Sequence, residues 1–156
     1  MKIYSVDEAK KLLEHYCAYR ERSHFEVENK LREMRLIAEA RDVILMHLLK
    51  KDFLNEERFA RSYVRGKFRI KKWGRQKIIQ GLKQHRIHQN LIRIALSEID
   101  SGEYYVAISE LIQKKKREYN IADKFLLKQK IIRYLQQKGY KYGEFSDEIN
   151  LALDFD

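Results

Sequence analysis

The chain has 156 residues, 44% of them apolar, 12% aromatic and 36% charged, with 33 Lys and Arg against 23 Asp and Glu, a formal net charge of +10. That is apolar material enough for one domain, or for small units sharing a core, and too much for a disordered polybasic tail. No apolar run approaches the roughly 20 residues that cross a bilayer, the first residues lack the apolar core and cleavage site of a secretory signal, and the single cysteine, Cys17, has no internal disulfide partner, so a cytoplasmic protein is expected.

Proline is absent and there are six glycines, so nothing interrupts long helical periods and the chain reads as all-α. Ser5 and Glu8 have the spacing of a capping box, after which Val6, Ala9, Leu12, Leu13, Tyr16 and Cys17 recur on one helical face. Ser23 and Glu26 repeat the box before Phe25, Val27, Leu31 and Met34, and a third helix is predicted from Ala38 to Leu49 with Val43, Ile44, Met46, Leu48 and Leu49. Asn55 is the next N-cap, with Glu56 and Glu57 favourably placed in the first turn. The helix it opens carries Phe59, Ala60, Tyr63 and Ile70 on one face and Arg58, Arg61, Arg65, Arg69 and Lys72 on the other. Trp73-Gly74 ends it, Gly74 starts a helix with Ile78, Ile79 and Leu82, and another follows near Gln89 to Ile99. A long helix is expected from Ser101 to the Lys114-Lys115-Lys116-Arg117 cluster. The next is capped around Asn120 and Asp123, carries Phe125, Leu126, Leu127, Ile131, Ile132, Tyr134 and Leu135, and has Gly139 as its left-handed terminator. The acidic end, Gly143 to Asp156, is expected to form one short helix and a frayed tail.

The charge is not evenly spread. From Arg58 through Ser97 there is no Asp or Glu, while twelve of the 33 Lys and Arg lie there, which leaves 21 bases against all 23 acids elsewhere, a balance of −2. Such a segment is the footprint of a surface that meets polyphosphate, and Arg58, Arg61, Arg65, Arg69, Lys71, Lys72, Arg75 and Lys77 are its candidate nucleic-acid or filament contacts. A solvated helix face is the plainer alternative, although such faces usually mix both signs. Trp73 is either a base-stacking platform or a packing wedge at its helix junction. Glu144 and its acidic neighbours are candidates to dock on Lys67 or Lys71 in the free protein.

A second regularity is internal. Sliding the first fifty residues by 51 positions sets Ala9 on Ala60, Cys17 on Phe68, Ser23 on Gly74, Val27 on Ile78, Leu31 on Leu82, Ile44 on Ala95 and Leu48 on Ile99. Further on, Ala107 falls on Ala60, Ile131 on Ile78 and Leu135 on Leu82. Three tandem three-helix repeats are therefore predicted, at residues 1–54, 55–100 and 101–156, the middle one strongly basic and the last with an acidic end. Units this small must pack on each other, and the expected body is elongated and curved.

The central motif, Phe53-Leu54-Asn55-Glu56-Glu57-Arg58-Phe59-Ala60 with Tyr63-Val64, Trp73-Gly74, Ile78 and Leu82, resembles the RecX family of bacterial regulators of the RecA recombinase. Arg20-x-Arg22-Ser23 with Glu26 and Lys30-Leu31, and Lys130-Ile131, Tyr134-Leu135 and Lys138-Gly139-Tyr140, extend the resemblance over nearly the whole chain. It departs at Arg86, where the family often has glycine, and at Asp52-Phe53, where Gly-Tyr is common; both are helix junctions. The resemblance implies a monomer without cofactor or catalysis that binds the RecA–DNA filament and single- and double-stranded DNA, inhibits RecA ATPase, strand exchange and filament growth, and so modulates homologous recombination, DNA repair and the SOS response. The alternative is a general helical nucleic-acid-binding protein without a recombinase partner.

Other signals weigh less. His85 and His88 lack the Cys or carboxylate companions of a metal site, Cys17 sits on an apolar stripe as a small hydrophobe, and no Walker or dinucleotide-binding glycine motif occurs. No catalytic, cofactor or metal residue is expected.

Overall fold

The computed structural model describes residues 2–155; Met1 and Asp156 lie outside them. Among the described residues all regular structure is helical: α1 (Val6–Tyr19), α2 (His24–Glu33), α3 (Ala38–Lys50), α4 (Glu56–Arg69), α5 (Arg75–Gln84), α6 (Gln89–Leu96), α7 (Ser101–Glu118), α8 (Lys124–Lys138) and α9 (Tyr142–Ala152). None of these helices is long and apolar enough to cross a membrane.

Side chains set several of the helix starts by satisfying N–H groups of the first turn. Ser23 and Glu26 close a full capping box, Asn55 Oδ1 accepts the Arg58 N–H at 2.9 Å, and Asp123 Oδ1 accepts those of Phe125 and Leu126 at 2.8 and 3.2 Å. One start differs from expectation: at Ser5 only the hydroxyl half of the box forms. Helix α7 begins at Ser101 as expected, with Asp100 as its cap, whose carboxylate takes the Glu103 N–H at 2.9 Å.

Several helix ends share one device. After Asp52, Arg86, Gly139 and Asp154 the chain makes the six-to-one hydrogen bond of a Schellman closure, such as Phe53 N–H to Leu48 C=O at 2.9 Å and Ile87 N–H to Leu82 C=O at 3.1 Å, and after Lys72 a wider closure from Trp73 N–H to Lys67 C=O at 3.1 Å. All five residues have positive φ, and only Gly139 escapes the Cβ penalty there. Asp52 and Arg86 therefore make the left-handed turns that glycine would make more cheaply.

Two compact units emerge. The first comprises Met1–Ser62 and Leu82–Ala95, the second Tyr63–Gly81 and Leu96–Asp156. In the first, α1 and α2 pack on α3 around Ala9, Leu13, Cys17, Val27, Leu31, Ile44 and Leu48. Burial pushes the Cys17 thiol up to about 11, so it stays a neutral hydrophobe. In the second, α7, α8 and α9 pack together, and Tyr104 stands among Phe68 and Tyr140 with ring centroids 5.8 and 5.2 Å away.

Every position paired by the internal repeat is buried, including Ser23 and Gly74. Truncating such a leucine to alanine typically costs about 2–5 kcal/mol. Other apolar positions prove exposed. Ile70 lies just past the end of α4 at 79% exposure, and Phe125 and Leu126 occupy the first turn of α8 at 69% and 62%. The acidic end is a packed helix, with Phe145 and Ile149 fully buried.

Candidate nucleic-acid interface

Most arginines of the predicted stripe already hold carboxylates. In the first unit, Arg58 Nε donates to Glu21 Oε1 at 2.7 Å while its other nitrogens meet the Asp52 carboxylate at 3.0 Å and the Asp52 carbonyl at 2.9 Å. Burial works against the Arg58 charge, and the Glu21 hydrogen bond with the Glu21 and Asp52 charges outweighs it, so the guanidinium is held protonated. Arg61 pairs with Glu57 one turn back at 3.3 Å. In the second unit, Arg65 meets Glu98 at 3.2 Å. Arg69 and Lys72 line a groove of about 490 Å³ with Phe68 and Val106, whose other lip carries Glu103 and Glu110.

Arg75 is held by both a ring and a carboxylate. Its guanidinium lies over the Tyr104 ring, 3.9 Å from the centroid, and donates to Glu144 Oε2 at 3.0 Å. Tyr104 Oη accepts the Arg75 N–H at 3.0 Å and donates to Glu144 Oε1 at 3.2 Å. The carboxylate expected on Lys67 or Lys71 is thus taken by Arg75 and Tyr104. The reason is packing: α9 sits on α7, and this brings Glu144 to the start of α5.

Beside this triad the backbone of α5 begins against the end of α8. Gly74 N–H donates to the Lys138 carbonyl at 2.8 Å and Gln76 N–H to the Gly139 carbonyl at 3.0 Å. Unsatisfied donors of one helix start thus meet unsatisfied acceptors of one helix end, with the helix dipoles head to tail. The approach demands glycine: a Cβ on Gly74 would lie 2.5 Å from the Gly139 carbonyl carbon. Lys138 Nζ and Tyr140 Oη complete the joint by donating to the carbonyls of Lys71 and Lys72, both at 2.8 Å.

This joint gathers lysines around aromatic rings. Half-buried Trp73 has Lys67 Nζ 4.8 Å and Lys77 Nζ 4.5 Å from its ring centroid, and Lys67 also reaches the Tyr63 ring at 5.4 Å. Tyr134 is approached by Lys115 at 4.3 Å and Lys138 at 5.9 Å. Tyr119 is approached by Lys130 at 4.7 Å and Lys115 at 5.4 Å. Among the described residues, Lys67, Lys71, Lys77, Lys130 and Lys138 have no ion-pair partner. Lys115 does, in Glu118 at 2.8 Å. Burial first, and then the charges of Lys77, Lys114, Lys115 and Lys71, hold the Lys138 ammonium below the usual lysine value. Positive potential is concentrated here with few anions to neutralise it.

Lys115, Lys130, Lys138, Tyr119 and Tyr134 were not among the predicted contacts. A signal for them exists in the spacing of aromatic and lysine four residues apart: Tyr63 and Lys67, Trp73 and Lys77, Lys115 and Tyr119, Lys130 and Tyr134, Tyr134 and Lys138. The two histidines serve local structure. His85 Nδ1 lies 2.9 Å from Ser23 Oγ and its ring lies against Phe59 at 4.9 Å, and His88 Nδ1 accepts the Asn90 N–H at 3.1 Å.

Family models described as the second and the third three-helix domain of RecX match residues 55–96 and 102–147. The protein named Regulatory protein RecX in Haemophilus influenzae (strain PittGG) is 32% identical over 133 residues, covering 85% of this chain and 86% of the relative. Its namesake in Clostridium perfringens (strain SM101 / Type A) is 35% identical over 100 residues, or 61% of this chain and 45% of that protein. The one in Lactobacillus johnsonii is 28% identical over 125 residues, or 80% and 46%. The chain thus spans less than half the length of those last two. The crystal structure of RecX from Lactobacillus salivarius superposes with a TM-score of 0.83 at 26% identity over 96% of each chain. With similarity of this extent to proteins named as regulators, and with two of the family's three-helix domains recognised in it, the chain belongs to the RecX family.

Proposed function

We propose that this chain binds a RecA–DNA filament and restrains it, inhibiting RecA ATPase, strand exchange and filament growth, and so modulates recombination and repair from the cytoplasm. In this reading three repeats, at residues 1–54, 55–100 and 101–156, act as one monomeric body on several filament subunits and the DNA they hold, so that weak contacts sum. The observation that carries it beyond family membership is the set of lysines without ion-pair partners around Trp73 and Tyr134. Cations left unneutralised in a protein that is otherwise rich in ion pairs are available for phosphate. Inhibition follows if the bound body favours one filament state over others, since a ligand shifts an equilibrium only by its differential affinity.

The test is RecA's single-strand-dependent ATPase titrated with this protein at two salt concentrations. Inhibition below one protein per recombinase subunit, weakening as salt rises, is the expected outcome. Unchanged ATPase and strand exchange at stoichiometric protein would overturn the reading. The lysine and aromatic set by itself also suits a nucleic-acid binder without a recombinase partner. Affinity for bare DNA equal to that for the same DNA coated with RecA would favour that second reading.

A further inference from the structure

We propose that the lysine and aromatic side chains at the α5–α8 joint form a track for single-stranded nucleic acid, running from Trp73 past Lys77 and Lys138 to Tyr134 and Tyr119. This rests on the reading that the protein contacts nucleic acid, and adds which strand form it takes and where. The track lies within the second unit and is largely separate from the arginine stripe of α4.

Three observations point to a single strand. The rings of Trp73, Tyr134 and Tyr119 are half-buried and so held in place with part of their surface open. Each has two lysine ammonium groups within 6 Å of its centroid. Unpaired bases stack on such rings and phosphates pair with such cations, whereas a duplex hides its base faces and offers only phosphates and groove edges. The track is also continuous in the backbone. Gly74, next to Trp73, is hydrogen-bonded to Lys138, and Lys138 sits one turn after Tyr134 on α8.

These cations are held loosely. Lys130 is exposed and Lys67 and Lys77 are half-exposed, and an ammonium over a ring near solvent is weakly held, so a base can replace the lysine on the ring while the lysine moves to the adjacent phosphate. Lys138 gains most, because its charge is crowded by burial and by Lys77, Lys114, Lys115 and Lys71. The carboxylate in the track, Glu118, is exposed and bound only to Lys114 and Lys115 among the described residues.

Trp73 is the chain's only tryptophan, so its fluorescence reports on the site directly. The full chain is titrated with oligo(dT), with an abasic oligomer of equal length and with a duplex. Oligo(dT) is expected to quench Trp73, and the abasic strand and the duplex to quench it far less. The triple variant Lys67→Gln, Lys77→Gln, Lys130→Gln should keep its melting temperature and weaken oligo(dT) binding, lowering the log–log salt slope by about 2, at roughly 0.7 per lost phosphate contact. Tyr134→Leu, which keeps an apolar filler, should weaken it roughly tenfold.

Binding of oligo(dT) with no change in Trp73 emission and no response to either variant overturns the track. So does equal quenching by the abasic strand, which would mean phosphate binding alone. The ATPase titration separates the two proposals. If RecA is inhibited while the triple variant still binds oligo(dT) as wild type does, the filament reading stands and the track is wrong; if quenching follows the track but RecA is untouched, the reverse holds.

Discussion

Both units close networks with arginine, as Arg65 with Glu98 and Arg75 with Glu144 do in the second, but the second also gathers lysines without ion-pair partners around its rings. In the first, Arg22 is buried, with Nε donating to the Tyr16 carbonyl at 2.8 Å, its guanidinium 3.7 Å from the Tyr16 centroid and Nη1 3.6 Å from Glu26, while Arg58 bridges Glu21 and Asp52. In the second, Lys67 and Lys77 rest on Trp73, and Lys138 donates to a carbonyl. Guanidinium groups, planar and many-toothed, close structural networks; ammonium groups on flexible stems are left beside rings and solvent. Net charge alone does not separate binding cations from structural ones. What separates them is whether a carboxylate already occupies each one.

A double dissociation would break this contrast most directly. Arg22→Ala removes a buried guanidinium with its hydrogen bond to the Tyr16 carbonyl and its ring contact, and one of the two arginines beside Glu26, and should cost about 2 kcal/mol of stability, read as a lower urea midpoint. DNA affinity of the still-folded fraction should change little. Lys77→Gln should do the converse: stability within about 0.5 kcal/mol of wild type, with weaker and less salt-dependent DNA binding. If Arg22→Ala proves neutral to stability, or Lys77→Gln unfolds the second unit, the division of roles is wrong.

The next largest effect concerns the joint that brings the lysines together. Gly74→Ala forces a Cβ against the Gly139 carbonyl group, with backbone on both sides and no flexible side chain to yield. A loss of about 2 kcal/mol is expected, together with weaker DNA binding, because Lys77 and Lys138 are then no longer held side by side. Wild-type affinity in a destabilised Gly74→Ala protein would show that the lysines act independently of the joint.

Much of the scaffold behind this contrast was legible in the sequence. Capping residues Ser23, Asn55 and Asp123 could be read because each needs only local hydrogen bonds. The repeat of buried positions could be read because every unit solves the same packing problem with residues four apart. Gly74 was legible as a helix boundary, but not as the partner of Gly139, since that contact joins residues 65 positions apart. The same limit applied to the arginines. Nothing local to Arg75 tells that Glu144 will arrive on it, nor that Glu21 will reach Arg58. A one-dimensional charge count therefore does not show that Arg58, Arg61, Arg65 and Arg75 hold carboxylates, nor that Lys115, Lys130 and Lys138, scattered along the chain, are brought together by α7 and α8.

Titration sharpens the contrast with a smaller effect. Burial tends to raise the Glu26 carboxyl, but hydrogen bonds from Arg20 and the Ser23 N–H, with the Arg20 and His85 charges, outweigh it and hold it below the ordinary glutamate value. A depressed carboxyl stabilises the fold above its unfolded value, and that contribution is lost as pH falls through the folded one. The stability advantage of wild type over Glu26→Gln should therefore shrink on acidification. Lys138 has the opposite consequence. Its lowered value means that the folded state disfavours the charge, so its penalty is present at neutral pH and is relieved as pH rises through the folded value. Lys138→Met should then be neutral or stabilising at pH 7 and lose that advantage in alkali, seen by urea unfolding at each pH.

The smallest expected change tests the left-handed turns, where the two units again differ in what the side chain does. Arg86 has φ 58° and its guanidinium lies over the Phe25 ring, 4.6 Å from the centroid; Lys72 has φ 59° and lines the groove beside Arg69. Glycine removes the left-handed penalty of about 1 kcal/mol at either position, and at Arg86 it also removes a ring contact of about 0.5 kcal/mol. Arg86→Gly should therefore stabilise by only about 0.5 kcal/mol, seen as a slightly higher urea midpoint, without affecting DNA binding. Lys72→Gly should stabilise by more and weaken DNA binding by about one phosphate contact. Equal gains at both positions would mean that the Phe25 contact contributes nothing, and a loss at Arg86 would mean that the contact outweighs the backbone cost and is what retains arginine at this turn.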